Sequence, residues 1–162
     1  MLISPAGVRA ALPHRYPMLL VDRVTEIVPG ERLTAYKAVT LNEPWYQRLG
    51  PVVDDAELAY PPVLLIESWG QAAGLLAQYD HPEPEALRTN VMVVGGISGA
   101  VFHRPVLPGE LLEHDVRLVR ALTDTMIFEG ECRSGGEVVF EVERVTMAYR
   151  PAGMLREQPV AH

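Results

Sequence analysis

Glu67 lies inside an apolar stretch, with Leu65, Ile66 and Trp69 around it. Desolvation in such a setting raises a carboxyl's pKa and favours its protonated form near neutral pH. The plainer alternative is a buried carboxyl tied down by hydrogen bonds at an interface, as any buried acid must be. Asp54, Asp55, Glu57 and Tyr60, just upstream, are the other groups able to move a proton. Carboxylates are workable bases, although an acidic run in a loop is more commonly a solvated face. Histidine is missing from this region, since none occurs between His14 and His81. His81, His114 and His162 read as surface residues. Cys132, the only cysteine, excludes an internal disulfide and a thiolate zinc site, and its strand-like setting suits a small core residue better than a nucleophile. No metal-ligand set and no nucleotide-binding glycine loop is evident, so no metal and no resident cofactor are expected.

The elements that must hold these groups follow from periodicity. Ser4 before Pro5 is a helix start, as cap and first-turn residue, with Pro13 ending the helix. Residues 18–27 and 32–39 read as strands joined through Pro29-Gly30, the central pair of a tight turn. Residues 42–62, with four prolines and no periodicity, form an irregular excursion longer than ordinary connections. Residues 62–77 are apolar nearly all round, which describes a helix with protein on most sides. Gly70, Ala73, Gly74 and Ala77 make a stripe of small side chains along it, read first as a packing surface and second as ligand space. A Pro-rich break at 81–84 precedes four strands at 90–101, 110–121, 125–133 and 137–149. In the last, apolar parity runs Val138, Phe140, Val142 and then Val145, Met147, Tyr149, which a bulge near Glu143-Arg144 explains. Ser134-Gly135-Gly136 is the hairpin turn before it, and residues 150–162 read as a flexible tail. The expectation is one α+β domain over residues 1–162, a six-stranded antiparallel sheet wrapped around a central apolar helix.

Composition narrows the partners. A net charge of −7 argues against general nucleic-acid binding, because neutralising phosphates needs a basic face. Lys37 is the sole lysine among 14 basic residues, so any local basic patch is built of arginine, suited to two-point grip of phosphate or carboxylate. No apolar run is long enough to span a bilayer and no leader pattern opens the chain, so a cytoplasmic, non-membrane protein is expected.

Leu12-Pro13-His14-Arg15-Tyr16-Pro17-Met18-Leu19-Leu20-Val21-Asp22-Arg23, Asn42-Glu43-Pro44, Ile66-Glu67 with Gln71-Ala72-Ala73-Gly74-Leu75-Leu76-Ala77, and Phe102-His103-Arg104-Pro105-Val106-Leu107-Pro108-Gly109-Glu110 together resemble the FabZ family, the 3-hydroxyacyl-acyl carrier protein dehydratases. The resemblance runs from Val8 to Tyr149 and implies a hot-dog fold, an obligate dimer, and sites at the subunit interface. There a histidine of one chain takes the proton beside the thioester carbonyl, and a carboxylic acid on the other chain's helix protonates the departing 3-hydroxyl. Glu67 takes the acid's position in that pattern. Val63, Ile66, Gly70, Gln71 and Gly74, with Gly95 and Gly96, would line the acyl tunnel or the dimer interface. His14 and His103 fall in matched segments whose histidines the family does not use as base, which gives them structural roles.

The chain departs from the family where the base should stand. Counting back from Glu67 the histidine position is Val53, and counting forward from Asn42 it is Leu49, because this loop is four residues longer than the family's. The family's glycine at the helix start is Pro62 here, which has no N–H to polarise a carbonyl. Losing a general base costs about 10² to 10⁴ in rate, so a symmetric homodimer is expected to be nearly inert. Three readings follow: a dehydratase subunit whose partner chain supplies the histidine, a non-catalytic acyl-binding or scaffold subunit, and a hot-dog thioesterase. Each takes a substrate bearing phosphopantetheine from acyl carrier protein, with Arg88 and Arg104 as candidate contacts to that acidic partner.

Overall fold

The computed structural model describes residues 2–79 and 90–155. Helix α1 (Pro5–Ala11) starts where Ser4 accepts a hydrogen bond from the Gly7 amide, and it buries Val8. Strands β1 (Arg23–Val28) and β2 (Arg32–Ala38) form a hairpin closed by the Glu31 amide on the Val28 carbonyl. Gly30 takes φ +75°, the left-handed value that the third residue of such a turn demands. Helix α2 (Pro62–Tyr79) is followed by β3 (Asn90–Phe102), β4 (Leu111–Ala121), β5 (Thr125–Ser134) and β6 (Glu137–Pro151). The six strands form one antiparallel sheet in the order β1-β2-β4-β5-β6-β3, the α+β hot-dog arrangement expected.

Helix α2 lies against the sheet because its apolar residues match the inward parity of the strands. Leu65, Trp69, Ala72, Leu75 and Leu76 pack in one core with Leu33, Ala35, Leu112, Val116, Phe128 and Phe140. Trp69 donates its indole N–H to the Asp115 carbonyl and meets the Phe140 ring edge-on. Gly130 of β5 is obligatory here: a Cβ would lie 2.0 Å from the Asp115 carbonyl oxygen and 3.1 Å from the Trp69 ring.

Several boundaries differ from the sequence reading. The first strand begins at Arg23 rather than at 18, because the amides of Leu20 and Val21 bond the Gln71 side chain instead of a neighbouring strand. The excursion over 42–62 holds a 3-10 turn (Pro44–Tyr46) and is anchored by a buried Lys37–Glu43 pair, the Tyr46 hydroxyl on the Leu58 carbonyl, and the Trp45–Tyr60 ring contact. Glu143 and Arg144 are the extra residues of a bulge opposite Glu129, which is where the parity switch put it. Residues 150–155, assigned to a flexible tail, complete β6 and a short 3-10 turn (Ala152–Leu155). The Pro-rich break, His81, Arg88 and His162 lie outside the described residues. No described helix is long and apolar enough to cross a membrane.

Candidate active site

Between α1 and β1 the chain crosses the open side of α2. A turn at Arg15, whose carbonyl accepts from the Met18 and Leu19 amides, carries His14 over the helix. One side chain of α2 pins the crossing. The Gln71 amide oxygen accepts from the Leu20 and Val21 amides, and its Nε2 donates to the Met18 carbonyl at 2.6 Å and to Glu67 Oε1 at 2.9 Å. Every polar atom of this buried side chain is spoken for, and the amide can face only one way.

Glu67 lies one turn before Gln71 and is 37% exposed at the side chain. His14 Nε2 stands 3.3 Å from the same Oε1 that Gln71 bonds. The imidazole beside it holds the Glu67 carboxyl below the ordinary glutamate value; burial pushes the other way and loses, and the Gln71 bond adds to the lowering. The expected rise in the pKa of Glu67 is thereby overturned. Burial acts as foreseen, but two donors on one oxygen outweigh it. His14, expected to serve structure alone, is the imidazole that meets the carboxyl.

Glu67, His14 and Gln71 line a cavity of about 490 Å³ whose other walls come from α1, β3 and β6, including Met92, Val94 and Met147. Gly70 and Gly74 border it, where an added Cβ would meet nothing closer than 3.7 Å, so these glycines leave space rather than permit tight packing. Ala73 and Ala77, the rest of the small-residue stripe, are packed in the core. A second, more apolar cleft of about 300 Å³ opens on the other side of Glu67, lined by Met18, Val63, Ile66, Val94 and Ile97. Glu67, Gly70, Val94 and Met147 border both, so the carboxyl stands between two chambers.

The remaining candidates lie elsewhere. Leu49 and Val53 are half-buried, and neither lines either cavity. Asp54 and Glu57 are exposed and close a turn on each other, each carboxylate accepting from the other's amide, with Asp55 exposed beside them. Tyr60 is a core residue whose phenol burial pushes far up in pKa, unfit for a base. Gly95 is the extra residue of a bulge in β3, and Gly96 follows it on the exposed stretch of that strand; neither lines a cavity, although Val94 and Ile97 on either side of them do. Arg104 is committed to Glu110 by two N–H donations at 3.1 and 2.9 Å. His103 lies 3.2 Å from Glu141 at the surface. His114, expected at the surface, is wholly buried, with Nε2 2.9 Å from the Ser68 hydroxyl. Among the described residues no group of side chains is placed to hold a metal. Sequence reasoning missed His14 as a site residue; the matched segment contained it, but nothing local tied it to a helix far downstream.

Comparison with known proteins agrees with this architecture. The model of the FabA-like domain matches residues 12–143. A 3-hydroxyacyl-[acyl-carrier-protein] dehydratase FabZ from Anaeromyxobacter sp. (strain K) is 39% identical over 146 residues, 90% of each chain. The FabZ of Shewanella loihica is 42% identical over 135 residues, covering 82% of this chain and 83% of its own. Among solved structures, the dehydratase heterocomplex ApeI:P from Xenorhabdus doucetiae shares the fold with a TM-score of 0.73 at 19% identity, covering 90% of this chain and 92% of that one.

Proposed function

Since the chain belongs to the FabA-like family and is a FabZ-like hot-dog member of it, we propose that it is a subunit of a 3-hydroxyacyl-acyl carrier protein dehydratase. The observation that carries this is Glu67, a half-buried carboxyl on α2 between two chambers sized for an acyl chain. The substrate is an acyl thioester on the phosphopantetheine arm of acyl carrier protein, in cytoplasmic fatty-acid or polyketide assembly, and the chain needs no cofactor of its own. The reaction breaks the C–H bond beside the thioester carbonyl and the C–O bond of the 3-hydroxyl, releasing water and a trans-2-enoyl thioester.

Two proton-handling groups are required, and the loop before α2 brings none to Glu67. A second hot-dog chain supplies the missing histidine. Support comes from β3, an edge strand exposed from Val94 to Phe102, and from the fold shared with a dehydratase described as a heterocomplex. The test is turnover of 3-hydroxyacyl and plain acyl carrier-protein thioesters by the chain alone and with the hot-dog protein that copurifies with it. Elimination only in the pair is expected, and Glu67→Gln should lower it by about 10² to 10⁴. Elimination by the chain alone removes the need for a partner, and release of free thiol from plain acyl substrates makes it a thioesterase.

A second reading has its own support. Pro62 offers no N–H at the helix start, and Glu67 is clamped by two donors, as suits a non-catalytic subunit that holds acyl chains or steadies an active partner. In that case Glu67→Gln leaves the pair's turnover unchanged.

A further inference from the structure

Glu67 does not share its two oxygens evenly. Oε1 receives Gln71 Nε2 at 2.9 Å and faces His14 Nε2 at 3.3 Å, while no hydrogen bond from a described residue reaches Oε2. The other ring nitrogen of His14, Nδ1, is buried and no described residue bonds it. A buried N–H without an acceptor is rarer and costlier than a buried lone pair, so the tautomer that fits this site carries its proton on Nε2. In that tautomer the ring N–H faces Glu67 Oε1 at 3.3 Å, and its only lone pair is buried. His14 therefore cannot stand in as the missing base. It can only hold the carboxyl.

We propose that His14 is a positioning residue which, with Gln71, fixes Glu67 as a carboxylate at the wall of the acyl chamber, so that Glu67 receives a proton from the substrate instead of giving one. The catalytic consequence rests on the dehydratase reading, and it reverses the roles that the family resemblance implies. Glu67 Oε2 takes the proton from the carbon beside the thioester carbonyl. The electron pair of that C–H bond becomes the new C=C bond as the C–O bond breaks, and a protonated histidine of the second chain gives its proton to the departing hydroxyl. Water leaves, Glu67 is protonated, the histidine is neutral, and one proton passed from carboxyl to imidazole resets the pair. Among the described residues the groups that bear on the charge of Glu67 are few. The segment after α1 brings His14 and Arg15, whose guanidinium donates to the Leu12 and His14 carbonyls. β6 brings Tyr149, and the described cavity residues of β3 are all uncharged.

The test is an NMR titration of the full chain labelled at glutamate side-chain carboxyls, with Glu67 assigned through Glu67→Gln. The expected result is a midpoint below that of ordinary glutamate in the wild type. His14→Phe, which keeps ring volume and removes the donor, shifts it upward, and His14→Gln, which keeps an N–H, brings it back down. The ¹⁵N resonances of His14 in the untouched chain at alkaline pH report the tautomer, whether or not a variant folds. A wild-type midpoint at or above the ordinary value, a midpoint unmoved in folded His14→Phe, or a proton on Nδ1 overturns the proposal. The dehydratase assay is read separately: a pair that eliminates water while Glu67 titrates high loses only this inference. A Glu67 that titrates low in a chain inert with every partner keeps the clamp and loses the reaction.

Discussion

His114 shows what a single buried imidazole does to the pH response of the whole chain. Ser68 donates its hydroxyl to the Leu65 carbonyl, so His114 Nε2–H donates to the Ser68 oxygen and Nδ1 has no described partner. Burial, with Lys37 nearby, pushes His114 down to about 3. Between the ordinary histidine value and that one, the unfolded chain binds a proton the folded chain refuses, so stability is constant above about pH 6.5 and falls below it, by about 3 kcal/mol at pH 4. The depressed carboxyls of Glu67, Glu110 and Asp124 act in the same direction and the raised Asp115 in the opposite one, so the contribution is read as a difference. Urea unfolding at pH 7 and pH 4 should show a smaller acid loss in His114→Leu than in the wild type; equal losses would remove His114 from the acid response. Lys37 and Glu43, each 7% exposed at the side chain and 2.6 Å apart, are the opposite case, a charge pair that survives burial only together. Lys37→Met should cost about 3–5 kcal/mol by leaving Glu43 alone in the core, and adding Glu43→Leu should recover much of it in the same unfolding measurement. Parity already marked His114 as inward, since it shares the face of Leu112 and Val116 on β4; its assignment to the surface followed residue type over position. No such local signal joined His14 to Glu67, because the contact exists only once the crossing segment is folded over α2.

At the scale of elements, α2 was the most legible part of the chain, since a segment apolar nearly all round must lie against a curled sheet or under a second chain. The β6 bulge was equally readable, because a one-residue insertion flips the parity of everything after it. The start of β1 was not, since competition from the Gln71 side chain for the Leu20 and Val21 amides leaves no trace in the strand's own residues. The small residues of α2 were seen but half misread: Ala73 and Ala77 pack, whereas Gly70 and Gly74 keep the chamber open. At Gly74 a Cβ would find Leu12 at 3.9 Å and Met92 at 4.0 Å, ordinary contact distances in a helix interior. Gly74→Ala should therefore stabilise the fold by about 0.5–1 kcal/mol through helix propensity, measurable as a raised melting temperature. Destabilisation would mean that the chamber wall cannot absorb even one methyl group.

At the scale of the whole molecule the two edges of the sheet differ. Among the described residues β1 at one end of the sheet is joined on its outer side by the Ile3–Val24 bridge, whereas β3 at the other end is long and exposed from Val94 to Phe102. Val94, Ile97, Val101 and Phe102 are each more than two-fifths exposed there, and Val94 and Ile97 also wall the apolar cleft beside Glu67. Unpaired strand edges with apolar side chains seek another strand, and a partner chain is one of the ways natural folds cover an edge this long. A second hot-dog chain laid along β3 would pair the amides and carbonyls that no described strand meets and close the cleft in one step. That is why the site and the assembly state are expected to rise and fall together. Val101→Asp, on a side chain that the sheet does not need for its core, should leave the circular dichroism of the fold intact and lower the mass found by light scattering toward that of one chain. It should also make the melting temperature less dependent on concentration, since association stabilises by mass action. A wild-type chain that stays monomeric at all concentrations, alone and with its copurifying hot-dog protein, would leave β3 a true free edge and the site beside it open to water.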